Sequence, residues 1–128
     1  EAELIYPGTF HQTDGYTGAC HFLDLAQPPT LIFASNDVMA MAAMDAVRER
    51  GLRVPEDISV MGFDDIPQAS LVRPALTTVR QPLEQMGRMA VQMLIEIFRD
   101  PAAPPRRIEL PTELILRDST APPKAQQP

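Results

Sequence analysis

Cysteine is almost missing from this 128-residue chain, where Cys20 stands alone. A single thiol excludes an internal disulfide framework and suits a reducing cytoplasm. Basic residues are also in short supply, 11 against 17 acidic, for a net charge of −6. Phosphate contacts need clustered Lys and Arg, so this piece offers no nucleic-acid surface, and any DNA binding has to lie elsewhere. No apolar run approaches the roughly 20 residues that span a bilayer, and none follows a basic start as a secretory signal does. His11 and His21 lack metal-ligand spacing, so neither a metal nor a cofactor is expected. The chain opens at Glu1 rather than Met, and the expectation is that further polypeptide precedes it.

What the chain does have is a repeated pattern supported by an apolar fraction of 45%, enough for a core. Thr30-Leu-Ile-Phe-Ala-Ser-Asn-Asp37 is an apolar run of strand length that ends in polar residues and passes into a helical pattern, Val38 to Arg50. Ile58-Ser-Val-Met-Gly-Phe63 is a second such run, closed by Asp64-Asp65. An earlier one, Leu4-Ile-Tyr6, ends at Pro7-Gly-Thr-Phe10. Strands that alternate with helices make a parallel α/β sheet flanked by helices, and such sheets take ligands at the carboxyl ends of their strands. Phe10, Asn36 and Asp64 are therefore expected to face one crevice.

Along the chain, Asp14 is placed to cap a first helix with Tyr16, Ala19, Phe22 and Leu23 at helical spacing. Gly51 suits the left-handed position that ends the second helix. Ile66 to Ala75 has no clear period and reads as a loop, and Leu76-Thr-Thr-Val79 is β-prone. Pro82 fits the first turn of a third helix, whose Leu83, Met86, Ala90, Met93, Leu94 and Ile97 keep the 3.6 period. Ile108 to Leu116 reads as extended, and the tail from Ala121 to Pro128 is too rich in Pro and Gln to pack.

The second helix is apolar all round, since only Asp45 is charged between Val38 and Val47. Such a helix is covered on both sides. Either a neighbouring helix of the same chain covers it, or it forms a subunit interface, and the Met-rich surface favours the interface. On that reading Met39, Ala43 and Met44, with Leu71 and Pro74 in the following loop, meet their own copies in a symmetric homodimer.

Four long segments carry a family likeness: Pro29-Thr-Leu-Ile-Phe-Ala-Ser-Asn-Asp-Val-Met-Ala40, Gly51-Leu-Arg-Val-Pro-Glu-Asp-Ile-Ser-Val-Met-Gly-Phe-Asp-Asp65, Pro74-Ala-Leu-Thr-Thr-Val-Arg-Gln-Pro82 and Leu110-Pro-Thr-Glu-Leu-Ile-Leu-Arg-Asp-Ser-Thr120. From about Gly8 to Pro122 the chain resembles the LacI/GalR family of bacterial transcriptional regulators. The resemblance implies an incomplete lobe of the periplasmic-binding-protein type I fold. It also implies a small-molecule effector, a sugar or related polyol, and DNA contact only through a helix-turn-helix headpiece that this chain does not contain. Asn36 matches a position whose amide bonds effector hydroxyls. Asp64 matches the acid that anchors the ligand, Phe10 an aromatic beside its ring, and Gln81 a polar crossover residue. The chain departs from the family in having Thr9 before that aromatic and Asp14-Gly15-Tyr16 after it, and the upstream Arg that clamps the effector has no counterpart here. In family terms residues 1–76 are part of the carboxy-terminal lobe and 77–82 a crossover. Residues 83–111 belong to the other lobe, 112–120 return, and 121–128 are a disordered tail.

Plainer roles compete for the same residues. Asn36 also stands where a helix N-cap belongs. Asp65 suits a structural role, bonding loop N–H groups, and Phe10 suits plain core. Asp64-Asp65 as a hydrolase pair is disfavoured, because no phosphate loop and no nucleophile beside a base accompany it. A periplasmic sugar-binding protein of a transporter is the runner-up to the regulator.

Overall fold

The computed structural model describes residues 2–102 and 104–123. It divides into two compact units, one of residues 1–80 with 114–128 and one of residues 81–113. The first holds α1 (Gln12–Leu23), β1 (Leu31–Phe33), α2 (Asp37–Glu49), β2 (Ser59–Asp64) and β3 (Thr77–Arg80). The second is essentially α3 (Leu83–Arg99), and β4 (Glu113–Ile115) spans the boundary.

The sheet runs β1-β2-β3-β4. β1 pairs parallel to β2 with Phe33 opposite Met61, and β2 pairs parallel to β3 with Asp64 opposite Arg80. These registers bring the polar ends of neighbouring strands to a common edge. α2 packs on β1 and β2, and α1 packs on α2. Ile32, Ile58, Val60 and Leu76 from the sheet side join Met39, Ala40, Ala43, Met44 and Val47 of α2 in one buried cluster. The helices meet at Gly15, where an added Cβ would lie 2.2 Å from the carbonyl oxygen of Met39. α2 ends as expected, with Gly51 at φ 73° just past the cap residue Arg50.

Several expectations give way. Leu4-Ile-Tyr6 is not a strand: Ala2–Leu4 form a 3-10 turn, and Leu4 and Ile5 are exposed. The Tyr6 ring instead packs against His21 and Phe22, so side-chain contact with α1 takes the place of ladder pairing. Asp14 is the third helical residue rather than the cap, which is His11. From there its carboxylate reaches back to the N–H groups of Thr9 at 2.6 Å and His11 at 3.2 Å. Extended structure near the end narrows to Glu113–Ile115. The tail is fastened at Ala121, whose N–H donates to Ser59 Oγ at 3.1 Å; residues 124–128 lie outside the described residues.

The all-round apolar helix is explained by this chain itself. Met39, Ala43 and Met44 are 8%, 1% and 2% exposed, because α1 covers one side of α2 and the sheet the other. They are interior residues and present no surface to a partner. Leu71, at 71% exposed, remains on the outside. α3 is the reverse case: none of its residues is buried, and Leu83, Leu94, Ile97 and Phe98 stand more than half exposed.

Candidate functional site

The carboxyl edge of β1 and β2 gathers most of the residues expected there. Asn36 follows β1 and caps α2, its Oδ1 accepting the Met39 N–H at 2.8 Å. The cap leaves its amide nitrogen available, and that nitrogen donates to the Phe10 carbonyl at 3.2 Å. The capping role and the proximity to Phe10 therefore coexist in one side chain. Phe10 is 66% exposed, which rules out the plain core role. Asp64 is the last residue of β2. Gln81, half-buried, is the first residue of the second unit.

Backbone strain collects at the same edge. Among the described residues, the non-glycine residues with positive φ are Phe10 at 66°, Asp64 at 112° and Asp65 at 57°. Such conformations cost of order 1–3 kcal/mol each and persist where surrounding contacts enforce them, typically in binding sites. Two aspartates at this edge, Asp37 and Asp65, make side-chain bonds that the residue pattern did not point to.

Asp37, wholly buried in the first turn of α2, accepts the Ile66 N–H at 2.8 Å and the Thr78 hydroxyl. Burial raises its carboxyl above the ordinary value, the two hydrogen bonds oppose that, and the nearby charges of Asp64 and Asp65 add to it. Gly62 leaves room for it, since a Cβ there would fall 2.3 Å from Asp37 Oδ1. Asp65 does not bond loop N–H groups as expected. Its carboxylate, 7% exposed, takes Arg80 Nε and Arg117 Nη2, each at 2.6 Å. Burial pushes this carboxyl up, but the two guanidiniums outweigh burial and hold it below the usual range. The signal for Asp37 was its place directly after an N-cap, where a short acid reaches neighbouring backbone; nothing in the spacing pointed to Arg117.

A rigid edge carrying an amide, a carboxylate and an exposed ring has the chemistry to hold hydroxyls. Carboxylates and amides bond them directionally, and a ring covers an apolar sugar face. A hollow of about 420 Å³ in the first unit is lined by Leu4, Ile5, Phe22, Leu31 and Phe33 among others; it reaches Ser35 and Met39 but not Phe10, Asn36 or Asp64. Its apolar walls suit packing of polypeptide rather than a polyol. Among the described residues no His, Cys, Asp and Glu cluster is arranged to hold a metal ion, and no helix is long and apolar enough to cross a membrane.

Residues 2–120 match the family described as periplasmic binding protein-like domain. The chain is 43% identical over 119 residues to the HTH-type transcriptional repressor PurR of Proteus mirabilis, covering 93% of this chain and 35% of that protein. Among solved structures it is similar to a LacI family transcriptional regulator from Enterococcus faecium with bound ribose, with a TM-score of 0.83, 33% identity, and coverage of 93% of this chain and 44% of that one. A lac repressor dimer bound to operator and an anti-inducer gives a TM-score of 0.80 at 34% identity, covering 88% and 39%. The chain belongs to the periplasmic binding protein-like family, and these similar proteins are HTH-type and LacI-type regulators. It spans about a third of the length of the curated relatives it matches.

Proposed function

We propose that this chain is the effector-sensing portion of a LacI/GalR-type DNA-binding regulator. Asn36 and Asp64 bond the hydroxyls of a sugar or related polyol, Phe10 flanks its ring, and Gln81 contributes from the crossover. The observation that carries this reading is the meeting of Asn36 with Phe10 beside β2, whose last residue Asp64 has a strained backbone. Support comes from the ribose held by the Enterococcus faecium relative. Residues 77–82 are assigned to a crossover and 83–111 to a second lobe, and the ligand changes DNA affinity to the extent that it binds two lobe arrangements unequally. The headpiece that contacts DNA lies outside this chain, the protein is cytoplasmic, and it performs no catalysis.

The working unit is a homodimer, as in the lac repressor structure. With Met39, Ala43 and Met44 buried, the loop bearing Leu71 and Pro74 is left as the expected contact. Gel-shift measurement of the intact protein on DNA from upstream of its own gene tests the regulator reading. A shifted band that responds to a bound sugar supports it, and a monomer that binds sugar but no DNA supports a transport receptor instead.

A further inference from the structure

The chain passes between its two units twice, at Arg80 to Gln81 and at Glu113 to Leu114. Arg80 is the last residue before the first passage. Arg117 follows the second closely and is locked in place: its N–H donates to Thr77 Oγ1 at 3.0 Å and its Nη1 to the Leu76 carbonyl at 2.8 Å. The segment continues as Asp118, whose N–H bonds the Ala75 carbonyl, and Ser119, whose hydroxyl joins Val60 and Thr77. A single carboxylate, that of Asp65, holds both arginines, and it adjoins the proposed ligand acid Asp64.

We propose that Asp65 is a positioning residue that clasps both passages to the turn bearing Asp64, so that a ligand bound at Asp64 is felt at both connections at once. This rests on the effector reading of Asp64, but the clasp is testable without ligand. The two residues are consecutive and both hold positive-φ backbone, so the anchored carboxylate sits on the same turn as Asp64. One side chain with each of its oxygens on a different arginine also gives the passages a common anchor.

Backbone amide hydrogen exchange on the intact protein tests the clasp. In ligand-free protein, Asp65→Asn should speed exchange at both 79–80 and 116–118 about tenfold or more beyond any uniform change that lowered stability brings to the rest of the core, as release of a local anchor does. Arg80→Gln should loosen chiefly the first segment and Arg117→Gln chiefly the second. Wild-type exchange at either segment in Asp65→Asn overturns the proposal. If that variant does not fold, the Arg80→Gln/Arg117→Gln double variant must loosen the 64–66 turn more than either single change, and equal effects overturn it.

D-ribose then serves as the probe of coupling. Asp65→Asn should bind it within about threefold of wild type yet lose the ribose-dependent slowing of exchange at both segments, the separation of binding from response that coupling requires. Retention of that slowing overturns the coupling. Absence of ribose binding to wild type counts against the sugar reading of Asp64 and leaves the ligand-free result to decide the clasp.

Discussion

Asp37 accepts the Ile66 N–H at 2.8 Å while its other oxygen takes the hydroxyl of Thr78. One buried carboxylate thus fixes the start of α2, the turn after β2 and the middle of β3 to each other. Thr78→Val keeps the shape and β-branching of the side chain but deprives the carboxylate of a donor. The expected loss is about 1–3 kcal/mol, the penalty for an undersatisfied buried polar group. Urea denaturation measures it, and an unchanged midpoint would show that Thr78 carries no such bond.

Asp65 and Asp37 have opposite acid behaviour. Asp65 lies below the ordinary 3.8 because its arginines outweigh burial. Its stabilising contribution is therefore complete above 3.8 and is lost as pH falls through the lower folded value. Asp37 lies above 3.8, first of all through burial. Its contribution is complete below 3.8 and is lost as pH rises through the higher folded value. Asp65→Asn should thus lower stability at neutral pH and flatten the decline into acid, whereas Asp37→Asn should flatten the decline on the rising side. Denaturation midpoints followed from acid to neutral pH check both signs.

Gly15→Ala should separate α1 from α2. The new Cβ would lie 2.2 Å from a main-chain oxygen and 2.6 Å from the Met39 Cα, and backbone cannot rotate away as a side chain does. Overpacking of this kind costs typically 1–3 kcal/mol, sometimes more. A melting temperature equal to wild type would mean the helices part without cost.

Leu71 and Ala43 separate assembly from folding. Leu71→Glu changes an exposed loop residue and should yield folded monomers with an unchanged circular dichroism spectrum. Ala43→Glu puts a charge at a position 1% exposed and should unfold the protein rather than merely dissociate it. Sedimentation velocity with thermal melts distinguishes these results. A Leu71→Glu dimer as tight as wild type would remove that loop from the interface.

The elements with strong local instructions were legible in the residues. β1, α2 and β2 are apolar runs with polar ends, Gly51 supplies the only glycine φ that is positive among the described residues, and Asn36 is a preferred cap residue that does cap. What escaped the sequence depends on tertiary partners. Leu4-Ile-Tyr6 has strand composition, but Tyr6 found aromatic neighbours on α1. The methionines of α2 read as a subunit interface rather than core, but α1 lies across them and buries them. Asp65 and Arg117 are 52 positions apart, and no local periodicity links residues at that separation. The edge carrying Asn36 and Asp64 was foreseeable because parallel sheets place strand ends together; its internal wiring was not.

The most direct test of the central claim is a thermal-shift series on the intact protein with pentoses, hexoses and disaccharides, run in parallel on wild type and Asp64→Ala. At least one sugar should raise the wild-type melting temperature. The Asp64→Ala variant should bind that sugar about 1.5–3 kcal/mol more weakly by calorimetry, as loss of hydrogen bonds to a charged group requires. Sugars that leave wild type unshifted throughout, or that bind Asp64→Ala as tightly as wild type, would contradict the assignment of this edge as the effector site.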